Sequence, residues 1–243
     1  MSVIPCVNPL MATSPANDHG RAMEHSDPIR HVIVLGHPTP GSFNHQVADA
    51  YCETVRACGH EAILRDLYAT GFDPLLKSGE RRDATSPTSS TDVIAELAAL
   101  ENVRALVFVY PVWFGSPPAI IKGYIDRVFG AGFGAREVRF GVAHPLLAGA
   151  RLITFSSSAT TTPWLKDRGY ISLRQAFDNY LTAVFAMREA RRTHFDAVVD
   201  GLHERLVLEK LEAAREEATR MCAILDQERE HRALHPAAWP SDR

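Results

Sequence analysis

Short blocks of continuous apolar residues alternate along this chain with spans where apolar residues recur every three or four positions. His31–Gly36, Glu61–Arg65, Val103–Tyr110 and Arg151–Phe155 read as strands, and Met187–Val199 contains a fifth. Unbroken apolar blocks suit strands covered on both faces, so Val103–Tyr110 is expected at the centre of a sheet. The fifth is less apolar and is expected at an edge. Between the strands, Val47, Ala48, Tyr51 and Val55 mark one face of a helix that ends near Gly59. Asp92–Leu100, Pro117–Phe129, Leu173–Phe185 and Leu202–Arg229 are the other helical spans, with Pro117 and Pro118 tolerated in a first turn.

Strand and helix in alternation imply an α/β fold with a doubly wound parallel sheet. Residues 30–230 form one domain on this reading, with no internal repeat. Residues 1–29 lack periodicity and are rich in Pro, Asn and Ser, so a disordered arm is expected there. The polar stretch 77–91 reads as a mobile insertion and 231–243 as a loose tail. Ligands of such sheets lie beyond the carboxyl ends of the strands. Three polar loops fall at such ends: 37–44, 111–118 and 156–162. One ligand touching all three is the economical expectation.

Composition narrows the classes. The chain has 243 residues, 46% of them apolar and 23% charged, with a formal net charge of −3. That balance gives no basic footprint for nucleic acid, and it is not the strong acidity of a carrier that docks by charge. Cys6, Cys52, Cys58 and Cys222 are scattered without a CxxC pair and read as free thiols in a reducing compartment. No apolar run is long enough to span a bilayer, and no signal-peptide pattern opens the chain. A cytoplasmic location is expected.

Signatures of serine hydrolases, P-loop NTPases and zincins are absent. Gly130-Ala131-Gly132-Phe133-Gly134 mimics a phosphate loop but follows a helix rather than a strand. The stretch Gly36-His37-Pro38-Thr39-Pro40-Gly41-Ser42-Phe43-Asn44 does run from strand to helix, where unpaired N–H groups and the helix dipole favour an anion. His37, Thr39 and Ser42 can donate hydrogen bonds to phosphate oxygens. The same residues also suit a plain capping loop, with Ser42 or Asn44 as N-cap. In Tyr110-Pro111-Val112-Trp113-Phe114-Gly115, two large aromatics at a strand end either cover a flat ring ligand or pack into the core.

His37-Pro38 with Ser42-Phe43-Asn44, Asp66-Leu67-Tyr68 with Phe72-Asp73-Pro74, and Pro111-x-Trp113-Phe114 with Pro118-Ala119, Lys122-Gly123 and Asp126-Arg127-Val128 occur in this order. Over residues 31–226 the chain thereby resembles the flavodoxin-like NAD(P)H:quinone oxidoreductases of the DT-diaphorase and modulator-of-drug-activity types. The resemblance implies a flavodoxin-like five-stranded sheet in the order 2-1-3-4-5. It implies a non-covalent flavin, FAD or alternatively FMN, reduced by NAD(P)H as substrate and reoxidised by a quinone-like acceptor. It implies a homodimer. The flavin phosphate would lie against His37, Ser42, Phe43 and Asn44, beside the Thr39 hydroxyl already read as a phosphate donor, and the ring against Pro111, Val112, Trp113 and Phe114. Lys122, Asp126 and Arg127 would serve packing and ion pairing.

The third loop departs from the family pattern. Phe155-Ser156-Ser157-Ser158 stands where familiar members carry Thr-Thr-Gly-Gly followed by a Tyr and a His, and Tyr170 and Trp164 are the nearest aromatics to take part. Backbone N–H groups of Ser156, Ser157 and Ser158 are expected to face the ring's carbonyl edge. No side chain is required as acid or base, so none is assigned catalysis. The rivals are a regulatory subunit like those of potassium-efflux systems, a single-electron carrier, and an azo- or nitroreductase.

Overall fold

The structure is a computed structural model, and it describes residues 28–81, 89–131, 145–160 and 170–234. Five strands, β1 (Arg30–Leu35), β2 (Glu61–Asp66), β3 (Val103–Pro111), β4 (Arg151–Ser157) and β5 (Arg188–Phe195), form one sheet in the order 2-1-3-4-5. Every pairing is parallel. β3 is central and almost wholly buried, while β2 and the less apolar β5 are the edges. The apolar blocks thus sorted strands by depth as expected.

Alternate residues of each inner strand feed two cores. Val32 and Val34 of β1 and Leu106, Phe108 and Tyr110 of β3 pack on one face. Ile33, Leu35, Ala105, Val107 and Val109 pack on the other, against α1 (Phe43–Ala57) and the long C-terminal helix α5 (Glu204–Leu234). The first face is covered by Leu100, just after α2 (Thr91–Ala99), by α3 (Ala119–Tyr124) and by α4, which runs through Tyr170–Leu173, Arg174–Asn179 and Tyr180–Val184. Period-2 alternation with both faces apolar is the pattern of a doubly wound sheet.

The helices depart from the expected spans in three places. α3 does not stay α-helical to Phe129: over Ile125–Phe129 it widens, and Gly130 N–H donates to Ile125 O at 3.2 Å. α4 widens likewise over Arg174–Asn179. α5 continues to Leu234, so the first residues of the expected tail are helical. In the expected insertion, Ser78–Glu80 form a 3₁₀ turn and Thr91 already opens α2. Residues 82–88, and the expected arm apart from Pro28 and Ile29, lie outside the described residues. No described helix is long and apolar enough to cross a membrane.

Gly123 marks a close approach between two segments of backbone. A Cβ at Gly123 would collide with the carbonyl and ring of Pro74, backbone that cannot swing aside. A Cβ at Gly36 would meet only the side chains of Ile121 and Ile120. Gly123→Ala is therefore expected to destabilise by about 1–3 kcal/mol, and Gly36→Ala by less. Urea midpoints of the two variants check the order.

Candidate functional site

The site is built where β1, β3 and β4, adjacent in the sheet, end. Here the chain leaves β1 for α1 on one face and β3 for α3 on the other, which is the switch point of the topology.

The loop after β1 is held by side-chain hydrogen bonds. His37 Nδ1 lies 3.1 Å from Thr39 N and 3.3 Å from Thr39 O. The nearer group is an N–H that can only donate, so Nδ1 accepts and the ring proton sits on Nε2. Partial burial holds His37 below the usual imidazole range. Ser42 is the N-cap of α1, yet its hydroxyl makes no capping bond and no acidic residue lies in the first turn. Its Oγ instead lies 2.8 Å from His45 Nδ1, and His45 Nε2 donates to Asp66 Oδ2 at 3.1 Å. Asp66 also accepts from Tyr68 N–H and Ala69 N–H, both at 3.1 Å, which fixes the turn after β2. With the ring proton on Nε2 facing Asp66, Nδ1 is the acceptor for the Ser42 hydroxyl. The side chain expected to cap α1 is thus turned away, and the first N–H groups of a 15-residue helix are left open to an anion.

Phe43 and Asn44 point elsewhere. Phe43 meets Phe195 edge-on at 5.3 Å and packs on the core. Asn44 is buried, and its Oδ1 accepts from Ser157 Oγ at 2.9 Å.

Pro111 is buried and Val112 partly so. Trp113 and Ser116 close a tight turn by exchanging backbone hydrogen bonds of 3.0 and 3.1 Å. The two residues inside it, Phe114 (φ 50°) and Gly115 (φ 78°), are both left-handed, as a type I′ turn requires. Phe114 is a non-glycine residue at positive φ and is fully exposed, and Trp113 is 42% exposed. Of the two readings of this pair, core packing is excluded. The Trp113 and His37 rings are 6.1 Å apart, so loops one and two share one rim.

The third loop joins that rim from behind. Val112 N–H donates to Ser157 O at 2.7 Å. All three serines are buried, with hydroxyls used internally. Ser156 Oγ lies 2.9 Å from His194 Nδ1 and accepts from Arg192 Nη1 at 3.1 Å. Ser158 Oγ lies 3.0 Å from His194 Nε2. The Ser158 N–H is spent on Phe195 O at 2.9 Å, so this expected ring donor is turned into the sheet. Burial, then the nearby Arg192 charge, pushes His194 down to about 4, so it is neutral near pH 7. Beneath it Arg192 is buried in a bidentate pair with Asp178 at 2.6 and 2.8 Å, and it donates to Tyr110 OH at 3.0 Å. Thr161, Thr162, Phe133 and Trp164 lie outside the described residues.

Sequence reading brought His37, Ser42, Asn44, Trp113 and Ser157 to one place and missed the groups that hold them. His45, Asp178, Arg192 and His194 carried no motif. The available signal was a histidine and an arginine inside a strand expected to lie beside β4.

Such a sheet, with an uncapped helix N-terminus and exposed aromatics at its switch point, defines a doubly wound α/β protein. Residues 30–221 match the family described as having a flavodoxin-like fold, and the chain belongs to that family, as the motif resemblance indicated. It is 34% identical over 121 residues to rat NAD(P)H dehydrogenase [quinone] 1, a match covering 43% of this chain and 44% of that one. It is 29% identical over 142 residues to an uncharacterized NAD(P)H oxidoreductase of Haemophilus influenzae, covering 58% and 70%. The chain thus spans about half the length of the rat relative. Among solved structures, NAD(P)H:quinone oxidoreductase from Methanothermobacter marburgensis superposes with a TM-score of 0.64 at 25% identity, covering 79% of this chain and 98% of that one.

Proposed function

We propose that this protein is a flavin-dependent oxidoreductase that passes reducing equivalents from NAD(P)H to a quinone-like acceptor. The observation that carries this reading is the meeting of an uncapped α1 N-terminus with exposed Trp113 and Phe114 on one rim, His37 between them. The donor set fits a flavin: open amides and the His37 Nε2–H suit a phosphate, and aromatic faces suit a flat ring. A flavin held there would supply the two-electron chemistry that links NAD(P)H to the acceptor.

The chain's own part is placement. His37, Thr39 and the first amides of α1 hold the phosphate, Ser42 leaves those amides open by giving its hydroxyl to His45, and Pro111, Val112, Trp113 and Phe114 flank the ring. Phe43, Asn44, Ser156, Ser157 and Ser158 brace the rim from behind. Fixing two planar partners face to face replaces a bimolecular encounter. FAD is proposed first and FMN second, in a cytoplasmic homodimer with the open aromatic rim at the subunit boundary.

The purified protein is expected to be yellow and to be bleached by NAD(P)H, with colour restored by a quinone. Trp113→Ala is expected to weaken flavin binding about tenfold through lost stacking, with the fold intact by circular dichroism. A protein left colourless after incubation with FAD and with FMN overturns the reading. Bleaching without quinone turnover favours the regulatory alternative.

A further inference from the structure

At the opposite end of the sheet, His31, His60 and Cys222 bring ring nitrogens and a thiol within 4.8 Å of one another, all three residues buried. They come from separate elements: His31 from the start of β1, His60 from the residue before β2, and Cys222 from α5. The proposed flavin rim lies beyond the other end of β1. Six residues of extended chain separate His31 from His37, about 20 Å. The oxidoreductase reading uses none of these groups.

We propose that His31, His60 and Cys222 form a buried site for a thiophilic divalent metal ion of the zinc class.

The geometry suits tetrahedral coordination. His31 Nε2 and His60 Nδ1 face each other at 3.1 Å. Two nitrogens that far apart, each about 2.05 Å from a zinc ion, subtend about 98° at the metal, close to the tetrahedral angle. The Cys222 thiol supplies the soft third ligand. Cys58, exposed and close enough to Cys222 to act on its thiol, lies outside this three-residue group.

The outer partners are those a metal-bound imidazole uses. His60 Nε2 lies 3.2 Å from Asp226 Oδ1, and His31 Nδ1 lies 3.0 Å from Tyr51 OH. Asp226 fixes the His60 proton on Nε2 and leaves Nδ1 free to ligate. Without metal, His31 Nε2–H donates to His60 Nδ1 and Nδ1 accepts from Tyr51. With metal, the His31 proton moves to Nδ1 and is donated to the Tyr51 oxygen, so neither histidine need lose a proton overall. One proton leaves, from the Cys222 thiol. The thiolate and Asp226 then balance the dication, with Arg229 2.7 Å from Asp226 on its outer side.

Burial favours the reactive form of one ligand and opposes that of the other. It holds His31 down to about 3, beside His60, and so keeps it a neutral imidazole. It pushes the Cys222 thiol up to about 12, with Cys58 adding to the rise, so metal must displace the thiol proton and binding must tighten as pH rises.

The test is a cobalt(II) titration of the full chain with its thiols kept reduced. One equivalent is expected to raise a thiolate-to-cobalt charge-transfer band, abolished by Cys222→Ser and displaced by zinc. Asp226→Asn, at a half-exposed carboxylate whose loss spares the core, is expected to weaken binding about 10- to 100-fold. No thiolate band at stoichiometric cobalt, a band that persists in folded Cys222→Ser, or unchanged affinity in Asp226→Asn each overturns the site. Flavin content is a separate readout that these substitutions leave unchanged.

Discussion

Replacing Arg127 with methionine is expected to cost the fold about 3–5 kcal/mol, because the buried Glu80 carboxylate and the partly exposed Asp92 carboxylate lose the cation they share. The guanidinium is fully buried. It holds Glu80 through bonds of 2.8 and 2.7 Å, holds Asp92 through bonds of 2.6 and 3.0 Å, and donates to the Asp73 carbonyl. These partners tie the chain after β2 and the start of α2 to the widened end of α3. The Arg127 hydrogen bonds hold the Glu80 carboxyl down to about 2 from an ordinary 4.5, and they lower Asp92 as well. A depressed carboxyl stabilises the fold above its unfolded value and loses that contribution as pH falls. Stability tied to Glu80 is thus complete above about pH 4.5 and lost toward about 2. Arg127→Met is expected to remove this part of the acid sensitivity. The part from His194 and His31, buried neutral and held down to about 4 and about 3, remains between about pH 6.5 and those values. Urea unfolding of both proteins across pH 3–8 separates the two.

Arg127 also shows what the sequence could and could not say. Its ion-pairing role was legible because it follows Lys122 and Asp126 in a recognisable helix motif. Its partners were not: Glu80 lies in a polar stretch that reads as a free loop, 47 residues away. Local pattern carries burial and period, and those ordered the five strands by depth. It does not carry which distant charge meets which. The same holds at His31, which reads as the first residue of an apolar strand and is a fully buried, doubly hydrogen-bonded imidazole.

At the rim the limit was orientation rather than location. The described residues of loops one to three meet at one rim, since strand ends in a parallel sheet share one edge. Which way each hydroxyl turns depended on His45 and His194, partners that arrive from the neighbouring turn of α1 and from β5. A serine beside a histidine three residues on is a common pair, and a serine 38 residues before one carries no signal at all. Similarly, the exposure of Phe114 follows from two consecutive left-handed residues, and only Gly115 advertised that conformation in the sequence.

Removing Arg192 is expected to be as costly as removing Arg127, and here a paired substitution identifies the cause. Arg192→Leu leaves Asp178 buried without its cation, accepting only from Thr154 Oγ1 at 3.0 Å among the described groups, and a loss of about 3–5 kcal/mol follows. Asp178→Leu strands the guanidinium in the same way. The double variant leaves neither charge unpaired, so its loss is expected to be smaller than either single loss, a coupling that urea unfolding of all four proteins measures. Losses that simply add would mean the two side chains act by volume and not by charge. The pair also governs His194, the imidazole that bridges the Ser156 and Ser158 hydroxyls. With the Arg192 cation gone, His194 is expected to titrate above its present value of about 4, while its burial still keeps it below the usual range. A nuclear magnetic resonance titration of the ring in the double variant reads this directly. If flavin affinity falls in that variant while stability holds, the buried pair belongs to the site as the brace that keeps two serines turned inward, and the rim's open face is left to Trp113, Phe114 and the amides of α1.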